Sequence, residues 1–190
     1  MTRSLFLQNL EEHNDLFQQI HALNSDVLKV GAIASNCLRA GGKILFCGNG
    51  GSAADSQHLA AELTGRFIRD RKPLSAIALS TDSSALTCIG NDYSFDEIFA
   101  RQLFALGRPG DLLVAISTSG NSRNVIRAVE VAKDLGVSTA GFLGGAGGRL
   151  KALCDHNIIV PSSITARIQE CHILVGHTLC GLIEQELGLV

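Results

Sequence analysis

The chain has 190 residues, of which 46% are hydrophobic and 18% are charged, and this balance suits one globular α/β domain rather than a disordered segment. The formal net charge is -2, the pI is near 6.3, and no run of Lys or Arg occurs. These values argue against a nucleic-acid partner or a polybasic membrane contact, so small ligands are the favoured partners.

The cysteines and the N-terminus indicate where the protein resides. The six cysteines form no CxxC pair and mostly lie inside apolar runs, as is typical of reduced thiols packed as small hydrophobic residues. The N-terminal sequence MTRSLFLQNLEEHNDLF has no long apolar stretch and no A-x-A cleavage site. We therefore expect a cytoplasmic protein with neither a signal peptide nor a transmembrane span.

The first elements along the chain are predicted to be helices. Between Leu5 and Leu38 apolar residues recur at spacings of three and four, which predicts two helices that break near Asn24. The glycines at 41–42 are expected to end the second helix. Because mean hydropathy is +0.23 and this N-terminal region is apolar, we expect residues 1–40 to be used in oligomerisation.

Short apolar runs then alternate with helical stretches. The predicted strands are 43–47, 75–79, 111–117, 138–143 and 156–160. The predicted helices are 53–66, 95–106, 122–135 and 165–187. This alternation predicts an α/β fold with a parallel sheet and helices on both faces. No linker, repeat or change of composition interrupts it, so we expect a single domain over residues 1–190.

A glycine-rich loop follows the first predicted strand. Residues 48–52 read GNGGS and lie at the sheet edge where parallel α/β folds bind ligands. The glycines allow the backbone to approach a ligand, and free backbone amides are expected to face outward. Ser52 is expected to cap the next helix, with Asp55 at the capping-box position.

A second loop, residues 117–122, follows the third predicted strand and reads STSGNS. Four hydroxyl side chains and a glycine at a helix N-terminus can donate several hydrogen bonds to one phosphate, and the helix dipole favours its charge. An ordinary strand-to-helix turn with serine caps is the alternative for this loop alone. Two such loops at one sheet edge favour a phosphate site.

The spacing of the glycines limits the kind of phosphate compound. A dinucleotide fingerprint needs a third glycine that GNGGS lacks, and a Walker loop needs a lysine that neither loop contains. A small phosphorylated ligand remains.

Two helices carry polar residues that can face one cavity. His58 and Glu62 are four residues apart, and therefore about 40° from each other on a helix. Gln169 and His177 are eight apart and about 80° from each other on the C-terminal helix. His172 is about 140° from His177, so we expect it to point elsewhere.

These four side chains form a plausible ligand set for zinc, although an amide oxygen is a weak zinc ligand. Solvated surface or interface residues are the alternative, because sequence spacing alone does not bring the two helices together.

Four segments together resemble the SIS-domain sugar isomerases, and most closely their members that act on seven-carbon sugar phosphates. The segments are 47–66, 89–99, 116–122 and 166–179. The resemblance runs almost end to end and implies a flavodoxin-like sheet of five parallel strands, a homotetramer with sites at subunit boundaries, and catalysis without a nucleotide. A local departure is GGAGG at 144–148, where an edge of the pocket is expected to differ.

The resemblance also implies the roles of individual residues. The implied substrate contacts are Asn49, Gly50, Gly51, Ser52, Glu62, Arg66, Asn91, Asp92, Ser117, Thr118, Ser119, Ser122 and Gln169. The implied ligands of one Zn²⁺ per subunit are His58, Glu62, Gln169 and His177. Glu62 is also the implied general base and His177 the general acid. Asn91 and Asp92 rest on the resemblance alone, because GND by itself indicates a turn.

The function that the resemblance implies is conversion of sedoheptulose 7-phosphate to D-glycero-D-manno-heptose 7-phosphate through an enediol. This is the first step towards the ADP-heptose of the lipopolysaccharide core. The rival is a noncatalytic SIS protein that binds a replication initiator or senses a sugar phosphate. Such a relative lacks the carboxylate and imidazole that are Glu62 and His177 here. Arabinose 5-phosphate isomerases and amino-sugar etherases are weaker rivals, since they usually carry further domains or a different site.

Overall fold

The computed structural model describes residues 4–190. The helices are α1 (Leu5–Gln19), α2 (Asn24–Arg39), α3 (Gly51–Thr64), α4 (Ser83–Asp92), α5 (Ala100–Leu106), α6 (Arg123–Asp134), α7 (Leu150–Leu153) and α8 (Thr165–Glu186). The strands are β1 (Ile44–Gly48), β2 (Ala76–Ala78), β3 (Leu112–Ser117), β4 (Ser138–Gly144) and β5 (His156–Val160). Residues 1–3 of the predicted domain lie outside the described part, and the single-domain division stays a prediction.

The five strands form one parallel sheet in the order β2-β1-β3-β4-β5. Phe46 of β1 pairs with Ala78 of β2 on one side and with Val114 of β3 on the other. This order confirms the predicted flavodoxin-like fold. The chain places β2 on one side of β1 and then crosses to place β3 on the other side, so the loops after β1 and β3 flank the switch point where such sheets bind ligands.

Both faces of the sheet are covered, which explains why the central strands are continuous apolar runs. Ile44 and Phe46 face a core shared with α2, α3 and α8. The intervening Leu45 and Cys47 face the opposite core, shared with α5, α6 and α7. Alternate residues of one strand therefore anchor both helical layers.

The N-terminal helices break where the sequence predicts. A 3₁₀ turn over Ile20–Leu23 separates α1 from α2, which begins at Asn24. The N-terminal end of α1 leaves Leu5 and Phe6 each 70% exposed. Within residues 4–190, no helix combines the length and the apolar character needed to cross a bilayer.

Three stretches differ from the predicted elements. The helix α4 was not predicted, and it places the GND triplet in a helical turn rather than in a loop. It contains no fully buried residue, and its apolar side consists of only two half-buried side chains, Leu86 and Ile89, which is a weak periodic signal. The predicted helix 95–106 is a 3₁₀ turn over Phe95–Glu97 followed by α5, and the short α7 was also missed.

The predicted cap of α3 by Ser52 is wrong. The helix begins at Gly51, two residues before the predicted start at 53, with Gly50 at the N-cap position and no side-chain cap bond. Ser52 therefore lies inside the first turn, where it is 4% exposed. Asp55 lies in the following turn and not at a capping-box position.

The prediction of free, packed cysteines holds for most of the six. All are free, and only Cys88 on α4 is exposed. Burial raises the pKa of Cys37 to about 11 and that of Cys180 to about 12, so these thiols stay protonated at neutral pH.

Candidate active site

The first loop, residues 48–52, turns from β1 into α3 and needs its glycines. Gly50 has a φ of 55°, in the left-handed region that strains residues with a β-carbon. The Gly50 carbonyl accepts hydrogen bonds from the N–H groups of Ala53 and Ala54. The N–H groups of Gly51 and Ser52, which begin α3, have no helical carbonyl one turn before them, and at the switch point they suit an anion.

The second loop, residues 117–122, turns from β3 into α6, as predicted. The hydroxyl oxygens of Ser117 and Ser122 are 3.0 Å apart, and the Ser119 hydroxyl accepts a hydrogen bond from the Asn121 N–H. Ser122 is at the N-cap position of α6 without a side-chain cap bond. Thr118 and Ser119 line a cavity of about 310 Å³. The hydroxyl groups are therefore grouped at a helix N-terminus beside open space.

Three predicted site residues meet between α3 and α8, and we call them the His–Glu–His cluster: His58, Glu62 and His177. The Nε2 atoms of His58 and His177 are 2.8 Å apart, and His58 Nε2 is 3.4 Å from Glu62 Oε1. One ligand atom from each of the three lies within 4.8 Å of the others. Glu62 is 23% exposed, so the cluster is partly open to solvent.

Close packing of the two helices brings the cluster together. Gly176, next to His177, lies against Leu59, next to His58. A β-carbon at Gly176 would be 2.6 Å from both methyl carbons of Leu59, which is too close for any real contact. The absence of a side chain at Gly176 therefore allows Leu59 of α3 to pack directly against α8 beside the cluster.

A buried ion pair ties the end of α3 to α8. Arg71 Nε donates to Glu184 Oε1 at 2.7 Å, and the side chains are 2% and 0% exposed. Arg71 Nη2 also donates to the Glu62 carbonyl, while Glu184 accepts the backbone N–H groups of Phe67 and Ile68. Burial acts to raise the pKa of Glu184, but these hydrogen bonds outweigh it, and the pKa is below its usual range. The pair thus fixes the backbone of Glu62.

The segment held by this ion pair also contacts the cluster directly. The ring of Phe67 stacks on the ring of His177, with 5.6 Å between centroids and 26° between planes. The imidazole of His177 is therefore bounded by Phe67 on one side and by His58 on another.

Asp55 is a further ionisable neighbour of the cluster that the sequence reasoning assigned only to a cap. It lies one turn before His58 on α3, and its Oδ2 atom is buried without a hydrogen-bond partner. Burial raises the pKa of Asp55, and the imidazoles of His58 and His177 oppose this rise. The spacing of three residues from His58 was a signal that could have identified it.

The donor set of the cluster fits a metal ion. Two imidazole nitrogens and one carboxylate are ligands that zinc accepts, and a three-residue set leaves a position for substrate or water. Gln169, the fourth predicted ligand, lies about two turns before His177 on α8, and its amide packs against Gly51 of the first loop. Its role as a ligand stays a prediction.

Three other predicted contacts lie on exposed surface. Asn91 and Asp92 are in the last turn of α4, where Asn91 Nδ2 donates to Asp92 Oδ1 at 2.8 Å. Arg66 follows α3 and is also exposed. Within residues 4–190, no hydrogen bond joins these three side chains to either loop or to the cluster. Their contacts with substrate remain predictions.

His172 points away from the cluster, as predicted. It is 1% exposed, and its Nε2 lies 3.0 Å from the Leu143 carbonyl. Burial lowers its pKa to about 4, partly offset by that hydrogen bond, so it is a neutral core residue at physiological pH.

The arrangement can move a proton between two neighbouring atoms of a bound ligand. A carboxylate and an imidazole lie side by side, which is the pairing required for general acid–base catalysis. The first loop leads into α3, which carries His58 and Glu62, and the second loop follows β3, the strand next to β1, so both loops suit a phosphate group of that ligand.

Known proteins of one family share this fold and sequence. The SIS-domain family matches residues 8–144. Phosphoheptose isomerase 1 of Campylobacter jejuni is 54% identical over 92% of this chain and 94% of its own. Phosphoheptose isomerase of Aliarcobacter butzleri is 52% identical over 99% of this chain and 100% of its own.

A solved structure agrees with these sequences. Phosphoheptose isomerase of Neisseria gonorrhoeae superposes with a TM-score of 0.91 at 46% identity, over 95% of this chain and 97% of that chain. The relatives found by sequence and the structure found by fold are all phosphoheptose isomerases, and the match to the SIS domain agrees with them. The chain therefore belongs to the SIS-domain family, and within it to the phosphoheptose isomerases, which are sugar-phosphate isomerases.

Proposed function

We propose that the enzyme converts sedoheptulose 7-phosphate to D-glycero-D-manno-heptose 7-phosphate, as the first step towards the ADP-heptose of the lipopolysaccharide core. The observation that carries this proposal is the His–Glu–His cluster in a chain more than 50% identical to phosphoheptose isomerases. A noncatalytic SIS protein has no need of this carboxylate–imidazole pair.

The proposed reaction is a proton transfer through an enediol. Glu62 removes a proton from C1 of the ketose, and the C1 electron pair forms the C1–C2 double bond. His177 supplies a proton to the oxygen on C2. Glu62 then returns a proton to C2, while the oxygen on C1 gives up its proton to His177 and becomes the aldehyde. Each residue thus ends the cycle in its starting protonation state.

The two loops are proposed to hold the phosphate end of the substrate. The proposed contacts in them are Asn49, Gly50, Gly51, Ser52, Ser117, Thr118, Ser119 and Ser122. Backbone N–H groups at the start of α3 and hydroxyls at the start of α6 support this role. Fixing the phosphate orients the reacting carbons over Glu62, so remote binding energy contributes to the rate.

The proposal includes one zinc ion per subunit, held by His58, Glu62 and His177 with Gln169 as a fourth ligand. The fit of the donor set supports it. A bound zinc ion stabilises negative charge on the substrate oxygens as a Lewis acid. Elemental analysis of purified enzyme is expected to give about one zinc per chain, and removal by a chelator should abolish activity that added zinc restores.

The proposal also includes a homotetramer that buries part of the N-terminal helices. Leu5, Phe6 and Leu28 are exposed on α1 and α2, and a largely apolar groove of about 310 Å³ lies between these helices and α8. Such surface supports association with further copies of the chain. Light scattering at micromolar concentration tests this, and a fully active monomer would contradict it. The six free cysteines support the proposed cytoplasmic location.

The substrate proposal is tested by comparing phosphorylated sugars of different length. We expect turnover of sedoheptulose 7-phosphate to exceed that of arabinose 5-phosphate and fructose 6-phosphate by at least about 100-fold in kcat/KM. The zinc-loaded enzyme should be used, with metal content measured. Binding of sedoheptulose 7-phosphate without turnover would contradict an enzymatic role and favour a noncatalytic SIS protein.

A further inference from the structure

A pair of asparagines joins the two loops of the site. Asn49 Nδ2 donates to Asn124 Oδ1 at 2.8 Å, and Asn124 Nδ2 donates to Asn49 Oδ1, also at 2.8 Å. Asn49 belongs to the first loop, whereas Asn124 lies in the first turn of α6, directly after the second loop. The two amides therefore form a closed ring of hydrogen bonds between the loops.

The orientation of this pair is determined by its surroundings. Asn124 Oδ1 also accepts the backbone N–H of Val125 at 2.9 Å, so the amide oxygen rather than the nitrogen must face that N–H. Asn124 is 2% exposed, and exchange of its hydrogen bonds with water is therefore restricted. Once Asn124 is oriented in this way, Asn49 has one orientation that satisfies both hydrogen bonds.

The pair lies where the sheet no longer connects the two segments. The paired register of β1 and β3 ends at Gly48 and Ile116, just before the loops begin. Within residues 4–190, the two hydrogen bonds between Asn49 and Asn124 are the side-chain hydrogen bonds that join residues 49–52 to residues 117–124. The two amides are therefore the side-chain hydrogen-bonded link between the loops.

The contact also changes the expected role of Asn49. One hydrogen of its amide group and one lone pair of its amide oxygen are used on Asn124. Gly50, the next residue, has the positive φ that shapes the loop. Holding the Asn49 side chain thus holds the turn at Gly50 in place.

We propose that Asn124 is a positioning residue that holds the first loop, through Asn49, at the distance from the second loop at which one phosphate group contacts both. This inference rests on the proposed function of the two loops as a phosphate site. Loss of the pair should leave each loop formed but mobile relative to the other, so phosphate affinity should fall more than the rate of the chemical step.

The test is a double-mutant cycle with Asn49→Ala, Asn124→Ala and the double variant. KM for sedoheptulose 7-phosphate and the calorimetric Kd for inorganic phosphate are measured for each. We expect each single variant to raise both constants by roughly tenfold, the loss of about one hydrogen bond to a site. Because Asn124 is proposed to act only through Asn49, the double variant should be no worse than Asn49→Ala alone.

Two further variants separate positioning from loss of stability. Asn124→Asp keeps the acceptor for Val125 but removes the donor to Asn49. Because its charge also repels phosphate, binding is compared at low and high salt, and the weakened binding should persist at high salt, where the repulsion is screened. Asn157→Ala is the matched control, since Asn157 lies on the edge strand β5 and its amide donates to the Lys151 carbonyl, away from both loops. This control should leave KM and Kd unchanged even where its melting temperature falls.

Either of two results would overturn the inference. A folded Asn124→Asp variant with native KM and native phosphate Kd would remove the positioning role. If the fold increases in KM and Kd of Asn49→Ala and Asn124→Ala multiply in the double variant, the two residues act independently. If the native enzyme does not turn over sedoheptulose 7-phosphate, the proposed substrate is wrong, but the phosphate Kd values still decide whether Asn124 positions the loops.

Discussion

The two halves of the site are built from different kinds of contact. Each loop is a short segment directly after a strand, and its groups are backbone N–H donors and small hydroxyls. The His–Glu–His cluster instead joins side chains that are 119 residues apart, on α3 and α8. The loops therefore depend mainly on local turns, whereas the cluster depends on the packing of two helices. Substitutions in the helix interface should disturb the cluster and spare the loops.

The largest expected effect is loss of the base. Glu62→Gln keeps the size of the side chain and an oxygen donor but removes its basicity, so kcat should fall by roughly 10²- to 10⁴-fold. KM should change little, because the loops are intact. The assay uses sedoheptulose 7-phosphate with zinc content measured in parallel. A native rate in zinc-loaded Glu62→Gln would exclude Glu62 as the base.

The next largest effect concerns the ion pair that ties α3 to α8. Glu184→Gln leaves Arg71 buried without a charged partner, so the free energy of unfolding should fall by roughly 3 kcal/mol. Zinc affinity should fall as well, because the backbone of Glu62 loses its support. Glu186→Gln on the exposed end of α8 is the matched control. Equal urea midpoints for the two variants would contradict the structural role of the pair.

Two glycines on α8 provide a sharper comparison. Gly176→Ala places a β-carbon against Leu59 and should cost roughly 1–3 kcal/mol of stability together with activity. Gly181→Ala meets its nearest atom, in Phe67, at 3.6 Å and should be neutral or stabilising by up to about 1 kcal/mol. Thermal melting and kcat measure both effects. If the two variants behave alike, close packing at Gly176 does not hold the cluster.

The smallest expected effect is a pH dependence from His172. Its folded pKa of about 4 lies below the usual value of about 6.5, so the unfolded chain binds a proton first as pH falls. Stability from this residue is complete above pH 6.5 and declines towards pH 4, by roughly 1 kcal/mol at pH 6. Urea unfolding of native protein and His172→Leu from pH 7.5 to 5 measures the difference. If the free energy of unfolding changes with pH equally in the two proteins, His172 is not a buried neutral residue.

The same contrast explains what the sequence could predict. Apolar runs such as 111–117 and 156–160 identified strands to within a residue, and the loops followed from their place after β1 and β3. The helix α4 escaped because none of its residues is fully buried and only Leu86 and Ile89 face the core, so its periodicity is weak. Its start is set instead by Asp82, whose carboxylate accepts the Ala85 N–H.

Tertiary contacts account for the other differences. The spacing of His58 and Glu62 indicated one helix face, but their meeting with His177 depends on Gly176 fitting against Leu59. Serine at position 52 favours a cap by its residue type, yet the left-handed turn at Gly50 starts the helix before it. The reciprocal bond of Asn49 with Asn124 joins residues 75 apart and has no local signature.

The central claim is that Glu62 moves a proton between C1 and C2 of a heptose phosphate, and its most direct test is turnover in D₂O followed by NMR of the product. With a single base exchanging its proton with solvent at the enediol stage, deuterium should appear at C2 of the aldose, diluted by any direct transfer from C1. The zinc-loaded Glu62→Gln variant should give almost no labelled product. Aldose formed by the native enzyme at full rate without deuterium at C2 would contradict transfer by an exchangeable base, and labelled product from Glu62→Gln at the native rate would assign the transfer to another residue.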